Sequence, residues 1–209
     1  MIVETKVGPQ IASDSSIILQ RASRSGATVS TDAHARFYEA VARGNVYYLA
    51  GGALPPAAFT GGAGGQPLIS IYNPTGSGKL LTVLAASIGV TAVPTAAGVV
   101  NPELYAGVSA IPTGTATAPV NALTQVATGS VARGSLNVAT TSSSAITIAL
   151  ALSSFWWATA AAGAVTSNGL QPVEGLVTAS PGVLVALGVR TVPTSLTVTC
   201  SLFWEEVPI

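Results

Sequence analysis

From residue 67 onward, apolar and polar residues alternate in short runs broken by Gly, Pro and Asn, a pattern that predicts strands joined by turns. Two runs carry the pattern most clearly. In AITIALAL (145–152), Ile146, Ile148, Leu150 and Leu152 fall on one face of a strand, with Thr147, Ala149 and Ala151 on the other. In SLTVTCSLFW (195–204), Leu196, Val198, Cys200, Leu202 and Trp204 oppose Thr197, Thr199, Ser201 and Phe203. Strands are also predicted for PLISIYNP (67–74), ELYAGVSAIP (103–112), SLNVAT (135–140), VEGLVTA (173–179) and GVLVALGV (182–189). KLLTVLAASIGVTAVP (79–94) reads as a strand pair or one long strand. No helices alternate with these strands, so the pattern predicts an all-β body, a β-sandwich of jelly-roll-like type.

The first fifty residues read differently. Residues 1–30 show little periodicity and predict an extended N-terminal arm. TDAHARFYEAVAR (31–43) predicts one short helix, capped by Thr31 or Asp32, with Phe37 and Val41 on one face and Tyr38 beside them. Arg43-Gly44 is its stop signal. The strand-like NVYYLA (45–50) precedes a Gly- and Pro-rich loop, GGALPPAAFTGGAGG (51–65). The division that follows is an arm with its helix over 1–50 and a sandwich over 51–209.

Charge sharpens that division. Only 8% of the 209 residues are charged, against about 25% in an average soluble domain. Nine of the sixteen charges lie in the first 43 residues, and residues 44–204 hold Lys79, Glu103, Arg133, Glu174 and Arg190 alone. So little charge weakens the repulsion that keeps molecules apart, and predicts a body covered in part by neighbours. Net charge is zero, which supplies no basic stripe for nucleic acid. Arg21, Arg24, Arg36 and Arg43 are the candidate partner contacts, placed to pair with carboxylates on whatever surface the arm meets.

The candidate chemistry is sparse. TGSGK (75–79) resembles a phosphate-binding loop, but position 73 is Asn where that motif has Gly, and Leu80 stands where it has Ser or Thr. A hairpin turn with an exposed Lys79 is the expectation. His34 has no acid placed to orient it, so no nucleophile and base pair is read and the chain is expected not to be an enzyme. With one His and the lone Cys200, no metal site and no cofactor is expected. Glu205 and Glu206 should point to opposite faces of a strand, one to solvent and one to an interface. Trp156 and Trp157 alternate likewise and are candidate interface aromatics. The uncharged stretch 145–165 approaches bilayer length, but its period-two alternation and its lack of Lys or Arg flanks argue against a membrane span.

Three blocks together carry a resemblance: AHARFYEAVARGNVYYLA, ISIYNPTGSGKLLTVLAASIGV and the terminal FWEEVP. They resemble a group of tailed-bacteriophage virion structural proteins, over about a fifth of the chain. The resemblance implies a non-enzymatic particle component located in the virion. The leading expectation is a capsid decoration or cement protein that forms a homo-oligomer, a trimer, and grips the major capsid protein or other virion proteins. The alternative is a tail, fibre or spike protein that binds a host receptor or glycan. The matched blocks read as fold determinants, so no functional residue is carried over from the family.

Overall fold

Half-buried and fully buried strands dominate the chain in a computed structural model, which describes residues 4–6, 17–19, 37–54, 66–92, 98–108, 112–141, 146–152, 155–157, 168–189 and 197–209. The chain divides into two compact units, Met1–Tyr38 and Glu39–Ile209. In the first, β1 (Glu4–Lys6) and β2 (Ile17–Leu19) form an antiparallel ribbon, Thr5 opposite Ile18. Helix α1 (Tyr38–Ala42) crosses the boundary between the units. Its C-terminus is closed as expected: Gly44 takes φ 73° and its N–H bonds the Val41 carbonyl at 2.9 Å, a left-handed stop that a side chain would strain. Residues 31–36, the rest of the expected helix, lie outside the described residues.

The second unit begins with β3 (Val46–Leu54), β4 (Gln66–Tyr72), β5 (Lys79–Ala92) and β6 (Gly98–Val100). Then come β7 (Pro102–Val108), β8 (Pro112–Thr117), β9 (Val120–Asn121) and β10 (Arg133–Thr141). The remaining strands are β11 (Ile146–Ala151), β12 (Phe155–Trp157), β13 (Asn168–Pro172), β14 (Thr178–Ala179), β15 (Val183–Val189) and β16 (Thr197–Pro208). One sheet runs β11-β7-β15-β4-β10-β8, and the other runs β13-β5-β16-β3-β9 with β14 also on β5. All the pairings are antiparallel.

The two sheets close on one apolar core. Leu49, Leu81, Val83, Ile88, Leu202 and Trp204 of one meet Ile69, Ile71, Leu104, Val185 and Leu187 of the other. This is a β-sandwich. Three of its antiparallel pairs are nested, as in a jelly roll: β3 with β16, β4 with β15, and β5 with β13. The innermost pair, which would be β7 with β10, is replaced. β10 lies between β4 and β8, while β7 lies between β15 and β11.

Burial explains the two kinds of run in the sequence. β16 alternates as expected: Val198, Cys200, Leu202 and Trp204 are buried, while Thr199 is exposed and Thr197, Ser201 and Phe203 are half-buried. Strands β4 and β15 are interior and buried on both faces, so they read as near-continuous apolar runs. Tyr72, Tyr105, Leu184 and Ala186 form a second small cluster beside the main core.

Four expectations need correction. Gly51–Leu54, taken as the start of a loop, continues β3 and pairs with β16 through Cys200–Gly51 and Val198–Leu54. VEGLVTA forms a tight turn plus the two-residue β14, because Glu174 (φ 58°) and Gly175 (φ 81°) are left-handed and cannot continue a strand. In β11 the register slips between Ile148, opposite Tyr105, and Leu150, opposite Leu104. Those two β7 neighbours face opposite sides, so a bulge moves Leu150 off the face predicted for Ile148. Finally, β4 and β5 lie in different sheets, so TGSGK is a crossing between sheets and not a hairpin.

Candidate functional site

At the crossing, Asn73 holds both ends of the turn. Its side-chain amide donates to the carbonyls of Lys79 and Ala179, each at 2.8 Å. Its backbone N–H donates to Val183 and its carbonyl accepts from Gly182. Gly76 (φ 79°) and Gly78 (φ 67°) supply the left-handed corners. The glycines that suggested a phosphate loop therefore serve turn geometry, and Asn at 73 is used for its side-chain donors.

Lys79 starts β5, 127 residues before its partner in the sequence. Its Nζ lies 2.8 Å from Oε2 of Glu206, whose side chain is fully buried. Glu206 is fixed twice more. Ser130 Oγ donates to Oε1 at 2.6 Å, and the Val131 N–H donates to the same oxygen at 3.0 Å. The expectation that Lys79 is an exposed turn residue fails here. Glu205 and Glu206 do face opposite ways, with Glu205 half-exposed, but Glu206 meets this internal network and not an interface. A buried carboxylate survives only when paired and hydrogen-bonded, and this one ties β16 to the start of β5 and to the 130–131 segment.

That segment also walls a surface pocket of about 380 Å³, lined chiefly by small side chains: Ala116, Ala118, Pro119, Ala127 and Ala132, with Arg133 as the one charged residue on its lining. Its walls are held in place. Asn121 Oδ1 accepts from the N–H groups of Leu123 and Thr124, and its amide donates to the Gly44 carbonyl at 2.7 Å. Tyr48 donates to Gln125 at 2.9 Å. Gly134 is buried at the back of the pocket. A methyl group there would sit 2.5 Å from the Thr117 carbonyl, so only glycine lets β8 and β10 approach.

On the opposite edge of the β5 sheet, the turn between β13 and β14 projects outward. Val173 and Val177, its two feet, are buried in the core. The N–H groups of Val173 and Glu174 donate to the Leu84 carbonyl, Gly175 donates to Val83, and Val83 donates to Val177. Between the feet stands Leu176, 78% exposed, the most exposed large apolar residue among those described.

The solvent side of β3, β16 and β5 is nearly uncharged. Tyr48 stacks at a tilt on Phe203, centroids 5.6 Å apart. The Ser87 and Ser201 hydroxyls share a hydrogen bond of 2.7 Å, and Glu205 is the one charge on that strand face. None of these pairings was read from the sequence, although the alternation of β16 places Ser201 and Phe203 on one face.

Of the candidate partner contacts, Arg43 is exposed just after α1, whereas Arg21, Arg24 and Arg36 lie outside the described residues. The backbone of Trp156 and Trp157 belongs to β12, opposite Val99 and Gly98; their side chains lie outside the described set. His34 also lies outside it. Cys200 is buried, and burial pushes its thiol up from the ordinary 9.0 to about 12. Among the described residues no group of three or more His, Cys, Asp or Glu is placed to hold a metal ion, and no helix is long and apolar enough to cross a membrane. No family model, no curated protein and no solved structure matches the chain.

Proposed function

We propose that this chain is a structural subunit of a bacteriophage particle, a decoration or cement protein of the head that works as a homo-oligomer, a trimer, on the major capsid protein. The observation that carries this reading is the nearly uncharged solvent side of β3, β16 and β5. It sits on strands of up to 14 residues and offers aromatic and hydroxyl side chains with Glu205 as its only charge. A sheet face of that length spans roughly 45 Å at about 3.4 Å per residue. Side chains of this kind, with charge depleted, make up the centre of protein–protein contacts. The rigid network around Glu206 suits a protein whose task is to hold a shape. The sequence resemblance to virion proteins points the same way, as does the concentration of charge in the first 43 residues.

Light scattering on the purified protein at micromolar concentration should give a mass near three times 20.7 kDa. Immunogold labelling of phage particles with an antibody to this chain should decorate heads at a regular spacing. A clean monomer together with unlabelled particles overturns the proposal, and label confined to tails or fibres moves the protein to the tail.

A further inference from the structure

The connection from β9 to β10, residues 122–132, contains neither helix nor strand, yet it is pinned along its length. The Gln125 N–H donates to the Asn121 carbonyl at 2.9 Å, and its side chain bonds the Ala122 carbonyl and Tyr48, which together hold it at a φ of 57°. Gly129 takes φ 86°, and a Cβ there would sit 3.1 Å from Tyr47 Oη, so backbone and space both demand glycine. Further along, Ser130 and the Val131 N–H are tied to the buried Glu206 carboxylate. Left-handed residues other than glycine gather where a loop's position matters to function, and loops held on a rigid scaffold are where binding sites concentrate.

What this connection shapes is the pocket of about 380 Å³ between it and β8. Small-molecule sites run from roughly 300 to 1,000 Å³, with apolar walls and a few polar groups that fix orientation, so the pocket suits a ligand at the small end of that range. Ala116, Pro119 and Ala127 give it apolar walls, and Arg133 is exposed on its lining. The Arg133 guanidinium makes no hydrogen bond or ion pair among the described residues. The carboxylate behind the wall, Glu206, is paired with Lys79 at 2.8 Å.

We infer that the pocket binds a small organic acid, a single carboxylate on a compact apolar body. The carboxylate lies on Arg133 and the body against Ala116, Pro119 and Ala127. One guanidinium balances one negative charge, and its planar fork meets a carboxylate through two parallel hydrogen bonds. A phosphate monoester brings close to two charges at neutral pH, and its remaining oxygens would face alanine and proline. A sugar acid fails on the same ground, because its hydroxyls would lose water against walls that cannot bond them. Nor can the protein easily fill the space itself: a Cβ at Gly134, at the back, would lie 2.5 Å from the Thr117 carbonyl. The site is built within one chain, so it stands whether or not copies assemble.

The test is a titration of the isotope-labelled protein followed by amide NMR at neutral pH, with benzoate and hexanoate as probes. At least one acid should bind with a Kd of about 1 mM or lower, shifting the amides of residues 116–119 and 127–134. Benzamide, which has the same body without the charge, should bind about tenfold more weakly. Arg133→Gln should lose about as much, and Ala116→Leu, which fills the pocket and keeps the guanidinium, should abolish binding. Both substitutions are at exposed positions, and unchanged melting would show that the fold is intact; should either lower it, Thr128→Trp fills the pocket from the opposite wall. Failure of both acids to bind overturns the inference, as do shifts confined to other residues. Benzamide binding as tightly as benzoate would remove Arg133 from the site, and glucuronate or inorganic phosphate binding as tightly would refute the apolar body. Retained binding in Arg133→Gln or in the filled pocket overturns it equally.

Discussion

Lys79 shows how far a residue's role depends on a partner distant in sequence. It belongs to a motif that reads as a turn, and nothing nearby marks it, because Glu206 is 127 positions away. Replacing Lys79 with Ala leaves a buried carboxylate with only Ser130 and the Val131 N–H as donors. A hydrogen bond to a charged group contributes about 1.5–3 kcal/mol, and the partial exposure of Lys79 lets water recover some of that. We expect a loss of about 1–2.5 kcal/mol in urea unfolding, and Lys79→Arg should recover part of it. A change below about 0.5 kcal/mol would show that the ion pair contributes nothing net. Cys200 gives a test with a defined sign. Its folded-state pKa, about 12, lies above its ordinary 9.0, so the folded state holds the proton more tightly. The resulting stability is complete below pH 9 and declines as pH rises from 9 towards 12, where the unfolded thiol ionises first. Cys200→Ala should flatten that decline. At pH 8 the native thiol should react with Ellman's reagent only at the rate of unfolding.

At the scale of the strand, legibility followed burial. Where one face is wet and the other dry, as in β16, the alternation showed both the strand and its buried side. Where both faces are buried, as in β4 and β15, the strand was visible as an apolar run but its inner side was not. The bulge in β11 left no mark, since the alternation of AITIALAL continues unbroken while the ladder slips between Ile148 and Leu150. The turn at Val173–Val177 was misread because its valines look like strand residues, whereas Glu174 and Gly175 set its path through positive φ. The pocket was equally hidden, being assembled from β8, β10 and the 118–132 connection, whose small residues carry no chemical signature. Its back wall offers a direct check. Gly134→Ala places a methyl 2.5 Å from the Thr117 carbonyl, so β8 must move away from β10 at a cost of about 1–3 kcal/mol. Thermal melting should detect that loss, and hydrogen exchange should report it at the amides of residues 112–117 before any on β16. A variant as stable as the wild type would mean that β8 is free to shift.

For the molecule as a whole, the two compact units divide the work unevenly. Both large sheets and the main core lie within Glu39–Ile209, while most of the charge lies before residue 44. Removing residues 1–28 should therefore leave the melting transition and the oligomer mass near their wild-type values, yet abolish binding to particles that lack the native copy. Loss of folding or of the oligomer on truncation would assign those residues to the body. The nested pairing carries a further consequence, for synthesis. β16 lies between β5 and β3 and supplies Trp204, the largest fully buried side chain among the described residues. Neither β3 nor β5 can be sealed to its sheet until β16 has left the ribosome. A nascent chain must carry β3 and β5 without their central partner while more than 100 further residues, from Ala92 to Thr197, are made, the condition in which slow, non-local folding meets the risk of aggregation. The scarcity of charge gives that waiting chain little repulsion to protect it. Its yield in a cell should depend on chaperones and on slow expression at low temperature more than on the stability of the finished fold.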